Sequence, residues 1–238
     1  MKNASTNKTK NNLTFIHIPK NAGMTIRHSG HLKNKIFINH KCWHITRTYT
    51  NRLKKKMLLT NDHHGNEHAR WRDLKINYRN THGAFAIIRN PWDRVVSRYM
   101  FAKKLIEIEK TLPIGYADVS SFEAFLEERF KWAGEEFMWH RAIRGWYPAW
   151  DHVSDENGLE CKTDNIRFGH LNEDMCKYFN LKNMSPARNV TAFMKEGETY
   201  RNQYTDKTIQ IIADWYKKDI DYWGFDFDTE ATKNYWNK

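Results

Sequence analysis

Apolar positions along the chain fall into short unbroken runs separated by polar stretches of helical spacing. "LTFIH", Leu13 to His17, reads as a short buried strand. "KIFIN", Lys35 to Asn39, is a second strand candidate. "GAFAIIRN", Gly83 to Asn90, is the clearest: an apolar run between breakers, as expected for a parallel strand covered on both faces. "NIRFGHL" is a further strand, followed by a helix capped by Asn172. "NPWDRVVSRYMFAKKLIEIE" opens with Asn90 as a cap and Pro91 at the first helical position. "SSFEAFLEERF" carries a capping box from Ser120 to Glu123, and residues 135–147 read as helical and aromatic. One long helix is expected from near Thr205, with Ile209, Ile212, Tyr216, Ile220 and Trp223 stepping by three and four until Gly224.

Strands alternating with helices predict an α/β fold: a P-loop-like three-layer sandwich with a mainly parallel central sheet flanked by helices. Residues 1–12 read as a disordered tail and 13–238 as a single domain, since no repeat or linker divides them. Segment 40–82 is basic and histidine-rich, with helical stretches whose bounds the pattern does not fix.

Two loops carry candidate chemistry. In "FIHIPKNAGMTI" a strand runs through a small-residue turn into a helix, the arrangement that cradles phosphates. A nucleotide P-loop places its lysine after the glycines, whereas Lys20 precedes the single Gly23. Backbone amides of Asn21, Ala22, Gly23, Met24 and Thr25 can still wrap a phosphate, with Lys20 projecting over it. The plainer reading is a strand–turn–helix corner with an exposed lysine. In "IIRNPWDRVVSRY", Arg89 ends a strand and Ser97 lies eight residues on. A guanidinium fork plus a hydroxyl at the C-terminal edge of a sheet forms a phosphate clamp. Asp93 and Arg94 are expected to be mainly structural.

The two stretches together resemble the sulfotransferases that use 3′-phosphoadenosine-5′-phosphosulfate. The likeness is strongest to their carbohydrate branch, whose motifs are similar to "HIPKTGGTS" and "VRNPWDRLVSxY". Downstream, "DNIRFGHLNEDM", "SPARNVT" and the closing "YTDKTIQIIADWYKKDIDYWGFDF" resemble segments of that branch in the same order, so the match spans roughly residues 13–228. The resemblance implies that Asn21 to Thr25 hold the 5′-phosphosulfate, that Arg89 and Ser97 hold the 3′-phosphate, and that Lys20 contacts the bridging oxygen. A cation there stabilises charge on the departing phosphate. Asn21-Ala22 departs from the family's usual Thr-Gly. A bacterial "HATA"-like stretch resembles "WHITRTY", which makes His44 the expected general base, with His40, His63, His64 and His68 as rivals.

Composition narrows the partners. With 39 Lys and Arg against 28 Asp and Glu, the net charge of +11 favours anionic ligands without choosing among them. The run Arg52 to Lys56 reads as a solvated helix face. Cys42, Cys161 and Cys176 are odd in number and far apart, which argues against a disulfide framework and for a reducing, cytoplasmic setting. No stretch is apolar enough to cross a membrane, so a soluble protein is expected, with no nucleic acid partner. Abundant Lys, Asn and Ile point to an AT-rich genome, a bacterium or phage. His63, His64, Glu67 and His68 in "DHHGNEH" look like metal ligands, but a solvated loop is the better sequence reading and no metal is expected. Trp139, Arg141, Arg144, Trp146, Tyr147 and Trp150 would suit a glycan acceptor, or equally a helix packed on the sheet. The competing functions are a small P-loop kinase, disfavoured by the missing Walker lysine and acid, and a non-catalytic polyanion-binding protein on the same fold.

Overall fold

A computed structural model of the chain describes residues 13–38, 44–60 (backbone alone for 56–60), 66–110, 117–132, 146–184, 186 and 198–228. The expected tail, most of the 135–147 helix and most of "SPARNVT" lie outside them. Four strands form one all-parallel sheet in the order β2-β1-β3-β4: β1 Leu13–Ile16, β2 Ile36–Ile38, β3 Ala84–Ile88 and β4 Asp164–Arg167. Thr14 faces Phe37 on one side and Ala84 on the other, and Ile88 faces Arg167. The chain steps from β1 to β2 on one flank, then returns past β1 to lay β3 on the other. That reversal opens a crevice between the C-terminal ends of β1 and β3, where open α/β sheets bind ligands.

Both faces of the sheet are covered, which is why the strands are apolar without alternation. Side chains of a strand point to opposite faces in turn. Leu13, Phe15, Phe85, Ile87 and Ile166 therefore pack one way, against Ile26 of α1 (Gly23–Arg27) and Met175, Tyr178 and Phe179 of α7 (Leu171–Phe179). Ile16, Ala84, Ala86 and Ile88 pack the other way. There they meet Leu53 of α2 (Arg47–Thr60), Tyr78 of α3 (Ile76–Thr81) and Val95, Val96 and Tyr99 of α4 (Pro91–Lys103). Phe125 of α5 (Phe122–Trp132), Trp150 of α6 (Ala149–Val153), Ile212 of α8 (Asp206–Trp215) and Trp223 of α9 (Lys217–Trp223) complete that core. The three-layer α/β architecture with a parallel sheet is the one the pattern predicts. No helix among the described residues is long and apolar enough to cross a membrane.

Element ends follow local hydrogen bonding. Asn90 caps α4, accepting from the amides of Trp92 at 3.0 Å and Asp93 at 3.5 Å, while its own amide donates to the Asp226 carbonyl. Three expectations are corrected. Ser121, not Ser120, caps α5 by accepting from the Ala124 amide, because the Ser120 hydroxyl is engaged by Asp118. Asn172 lies inside α7: the chain passes from β4 through a 3-10 turn, Phe168–His170, straight into the helix, so His170 occupies the cap position without a capping bond. The single helix expected after Thr205 bends at Tyr216, between α8 and α9. A half-buried indole and a buried carboxylate fix the bend: Trp215 donates to the Trp146 carbonyl and Asp219 accepts from the amides of Ala149 and Trp150. Gly224 ends α9 in the left-handed region, φ 71°, as its position in the sequence implies.

The β1–α1 connection is the most strained backbone near the crevice. Lys20 has φ 68° and Ala22 φ 55°, both in the left-handed region that costs an L-residue roughly 1–2 kcal/mol. Asn21 holds the turn in place, donating its side-chain amide to the Ile87 carbonyl at 2.7 Å, one residue beyond the last β1–β3 pair. Gly23 is needed for space, not for φ: a Cβ there would stand 1.6 Å from Nε2 of His17. Ala22→Gly is therefore expected to stabilise the protein by about 0.5–1 kcal/mol, the relieved strain outweighing the extra chain entropy of glycine. Gly23→Ala is expected to destabilise it by about 1–3 kcal/mol through overpacking against His17. Urea unfolding of the two variants checks both signs. A lower midpoint for Ala22→Gly would mean that the left-handed turn carries no strain.

Candidate active site

The segments that leave the C-terminal ends of β1 and β3 line the crevice. Past Ile16, the Ile18 amide folds back to the Ile16 carbonyl at 3.1 Å and the Asn21 amide to Ile18 at 3.3 Å, which turns the chain up over the sheet edge. Asn21 is thus occupied at both amide groups, and the structure gives it an architectural role beside β3. Ala22 stands at the N-cap of α1 with no side chain able to cap, and the first turn holds no acidic residue. The amides of the first helical turn have no intrahelical acceptor, and an uncapped, acid-free turn is a favourable place for an oxyanion. Gly23 and Thr25 of this turn are buried and Met24 is half-buried.

β3 delivers Arg89, which joins the two loops. Its Nε and one terminal nitrogen donate to both oxygens of Asp93, at 2.6 and 2.8 Å, and the other terminal nitrogen donates to the Lys20 carbonyl at 2.7 Å. Its guanidinium also lies 4.1 Å from the centre of the Phe168 ring, just past β4. Three of its five N–H groups are used in these bonds, so the fork keeps two for a ligand. Asp93 is structural, as expected, in a defined sense: it fixes the plane of Arg89. Arg94 braces the same turn from within, donating to the carbonyls of Pro19 at 3.1 Å and Tyr147 at 2.8 Å while almost fully buried.

Lys20 is half-buried with Nζ 4.1 Å above the ring of Phe101 on α4. Burial, together with the nearby charges of Arg98, Arg89 and Lys104, pushes its pKa down from 10.5 to about 7. All four influences act in the same direction, so these cations face one another across a space that an anion would neutralise. Arg98 carries no motif signal that singles it out in the sequence. It is 4% exposed and shares the Phe101 ring with Lys20, and the spacing 94, 98, 101 along α4 is the signal that places it on the face toward the turn. Ser97 is buried on the same helix beside it.

His44 is a core residue in the structure. It is 1% exposed, its ring stacks 4.9 Å from that of Tyr78, and Tyr78 in turn stacks on His82 and packs edge-on to Phe37, at the start of the strands. The rivals His40, His63 and His64 lie outside the described residues. Glu67 and His68 differ from the expected solvated loop: they sit on a 3-10 turn, Asn66–His68, half-buried against His17. Their position depends on contacts about 50 residues away in sequence, which no local pattern encodes. Trp146 and Trp150 are core residues, at 2% and 3% exposure, so the plainer reading holds for both. Trp139, Arg141 and Arg144 lie outside the described residues. His152, fully buried beneath Arg94, Arg70 and His17, is held well below the usual histidine pKa by burial and these neighbours.

No curated protein matches the chain. The model of the sulfotransferase family matches residues 5–226, a span that contains both edge loops, the sheet and all of the described helices. With a parallel sheet, a lysine turn after β1 and an arginine after β3 meeting at the crevice, the chain belongs to the sulfotransferase family.

Proposed function

We propose that this sulfotransferase takes 3′-phosphoadenosine-5′-phosphosulfate as its donor and passes the sulfuryl group in line to a hydroxyl of a carbohydrate. The observation that carries the reading is the meeting of Lys20, Arg89 and Arg98 at the β1/β3 crevice, where Arg89 donates to the Lys20 carbonyl and Lys20 and Arg98 share the Phe101 ring. Such a site favours a ligand with several negative charges. The amides of Ala22 to Thr25 receive the 5′-phosphosulfate end, and the two remaining N–H groups of Arg89 with the hydroxyl of Ser97 receive the 3′-phosphate. Lys20 stands at the bridging oxygen, where negative charge grows as the bond to sulfur breaks. The net charge of +11 supports an acceptor that is itself anionic, and a glycan bearing carboxylates or sulfates fits. Cys161 and Cys176 are free thiols, which supports a reducing, cytoplasmic setting.

Lys20→Met is expected to lower transfer of labelled sulfate by about 100-fold or more, as for loss of one preorganised oxyanion donor, while the nucleotide product still binds. Transfer within a few-fold of the parent would remove Lys20 from the chemistry. Its pKa of about 7 generates a second expected outcome. Lys20 is mostly neutral at pH 8, and a bound polyanion raises its pKa above the solution pH. Binding of 3′-phosphoadenosine-5′-phosphate at pH 8 should then take up close to ~0.9 proton, and affinity should fall as pH rises from 7 toward 9. Calorimetry in two buffers of different ionisation enthalpy measures the uptake. An uptake that persists in Lys20→Met would place the titrating group elsewhere.

A further inference from the structure

We propose that His17, Glu67 and His68 form a binding site for a divalent transition metal of the zinc class, independent of the donor assignment above. One ligand atom from each side chain lies within 4.8 Å of the others, although His17 comes just after β1 and the other two belong to the Asn66–His68 turn. The separation of Nε2 of His68 from Oε1 of Glu67 is 3.5 Å. Two ligands of a tetrahedral zinc, each about 2.0–2.1 Å from the ion, stand about 3.3 Å apart, so this edge is nearly at the bound distance. The imidazole rings of His17 and His68 are 4.4 Å apart at 46°, inclined to each other rather than stacked flat.

Hydrogen bonds around the three side chains set the chemistry. Nδ1 of His68 is 2.9 Å from the carbonyl oxygen of His17. A carbonyl only accepts, so Nδ1 carries a proton, and Nε2, facing Glu67, is the ring nitrogen left to bind a metal in place of a proton. A backbone carbonyl behind a ligating imidazole is the usual outer support of a metal-bound histidine. The other oxygen of Glu67, Oε2, is ion-paired with Arg27 at 3.1 Å, which orients the carboxylate with Oε1 toward His68. Two imidazole nitrogens and one carboxylate oxygen match zinc and its borderline neighbours, and not magnesium or calcium, which take oxygen ligands. Three protein ligands leave one coordination position open to water.

The location gives the ion a positioning role. His17 lies directly on Gly23, so a metal that joins it to the 66–68 turn would brace the turn between β1 and α1. The alternative is a metal-free network in which Arg27, Glu67 and His68 are simply ion-paired.

The test uses the full chain, stripped with a chelator and dialysed. Zinc is titrated by calorimetry, and cobalt(II) is titrated with its visible absorption as the readout. The expected result is one ion per chain with micromolar or tighter affinity, the intense bands of low-coordinate cobalt, and a thermal midpoint that rises with zinc in excess. His68→Ala and Glu67→Ala, both on a half-buried turn, should each weaken binding by at least about tenfold. Exposed His170→Ala should not. His17→Ala is a weaker test, since it empties the space over Gly23, and far-ultraviolet circular dichroism must show each variant folded. Absence of the cobalt bands with an unmoved midpoint would establish the metal-free network. Binding that survives both His68→Ala and Glu67→Ala would place the ion elsewhere, and either result overturns the proposal.

Discussion

One guanidinium organises this protein. Arg89 leaves β3 and, with three hydrogen bonds, holds the Lys20 carbonyl on one side and the Asp93 carboxylate on the other. The turn after β1 and the first turn of α4 are thereby locked together across the crevice that the strand order creates. Without this tie, the left-handed backbone at Lys20 and Ala22 would have little to hold it against its strain. Asn21 and Arg94 complete the support, one anchoring the turn to the edge of β3 and the other gripping Pro19 from the core. Arg89, Asn21 and Arg94 thus decide where the amides of the turn between β1 and α1 point.

The electrostatics of the site are unfavourable for the protein alone. Gathering Lys20, Arg89, Arg98 and Lys104 in a partly buried space costs stability, as the depressed pKa of Lys20 registers. The large apolar cores on both sheet faces, and the bidentate Arg89–Asp93 and Arg167–Asp174 pairs at successive strand ends, offset that cost. Phe101 contributes as a cation-binding face, since its ring lies under Lys20. The arrangement favours an anion, which on binding would restore the full charge of Lys20 beside Arg89 and Arg98.

Much of this is legible in the sequence where the determinants are local. The apolar runs at 13–17 and 83–88, the Asn90-Pro91 start of α4 and the Gly224 stop each announce themselves within a few residues, and the strand–helix alternation gives the fold class. Motif spacing points to the Lys20 and Arg89 loops, which the fold brings together. What cannot be read locally depends on distant partners. Asn21 reads as a turn residue offering its backbone amide, but that amide donates to the Ile18 carbonyl and its side chain to that of Ile87. Arg98 needs the facing of α4 to be known. The bend at Tyr216 arises from contacts with residues 146–150, and the seat of His68 from His17. His44 is singled out by the resemblance of a short stretch, and the structure buries it against Tyr78.

On the proposed donor assignment, the crevice reads two phosphate ends of one nucleotide. Calorimetry comparing 3′-phosphoadenosine-5′-phosphate with adenosine 5′-monophosphate tests it most directly, because the two differ only in the group assigned to Arg89 and Ser97. The account predicts that the 3′-phosphate tightens binding by about 10–100-fold, the worth of one or two charge-assisted hydrogen bonds. It also predicts that Ser97→Ala narrows the gap. Equal affinity for the two nucleotides, or a preference for ATP over both, would contradict the account.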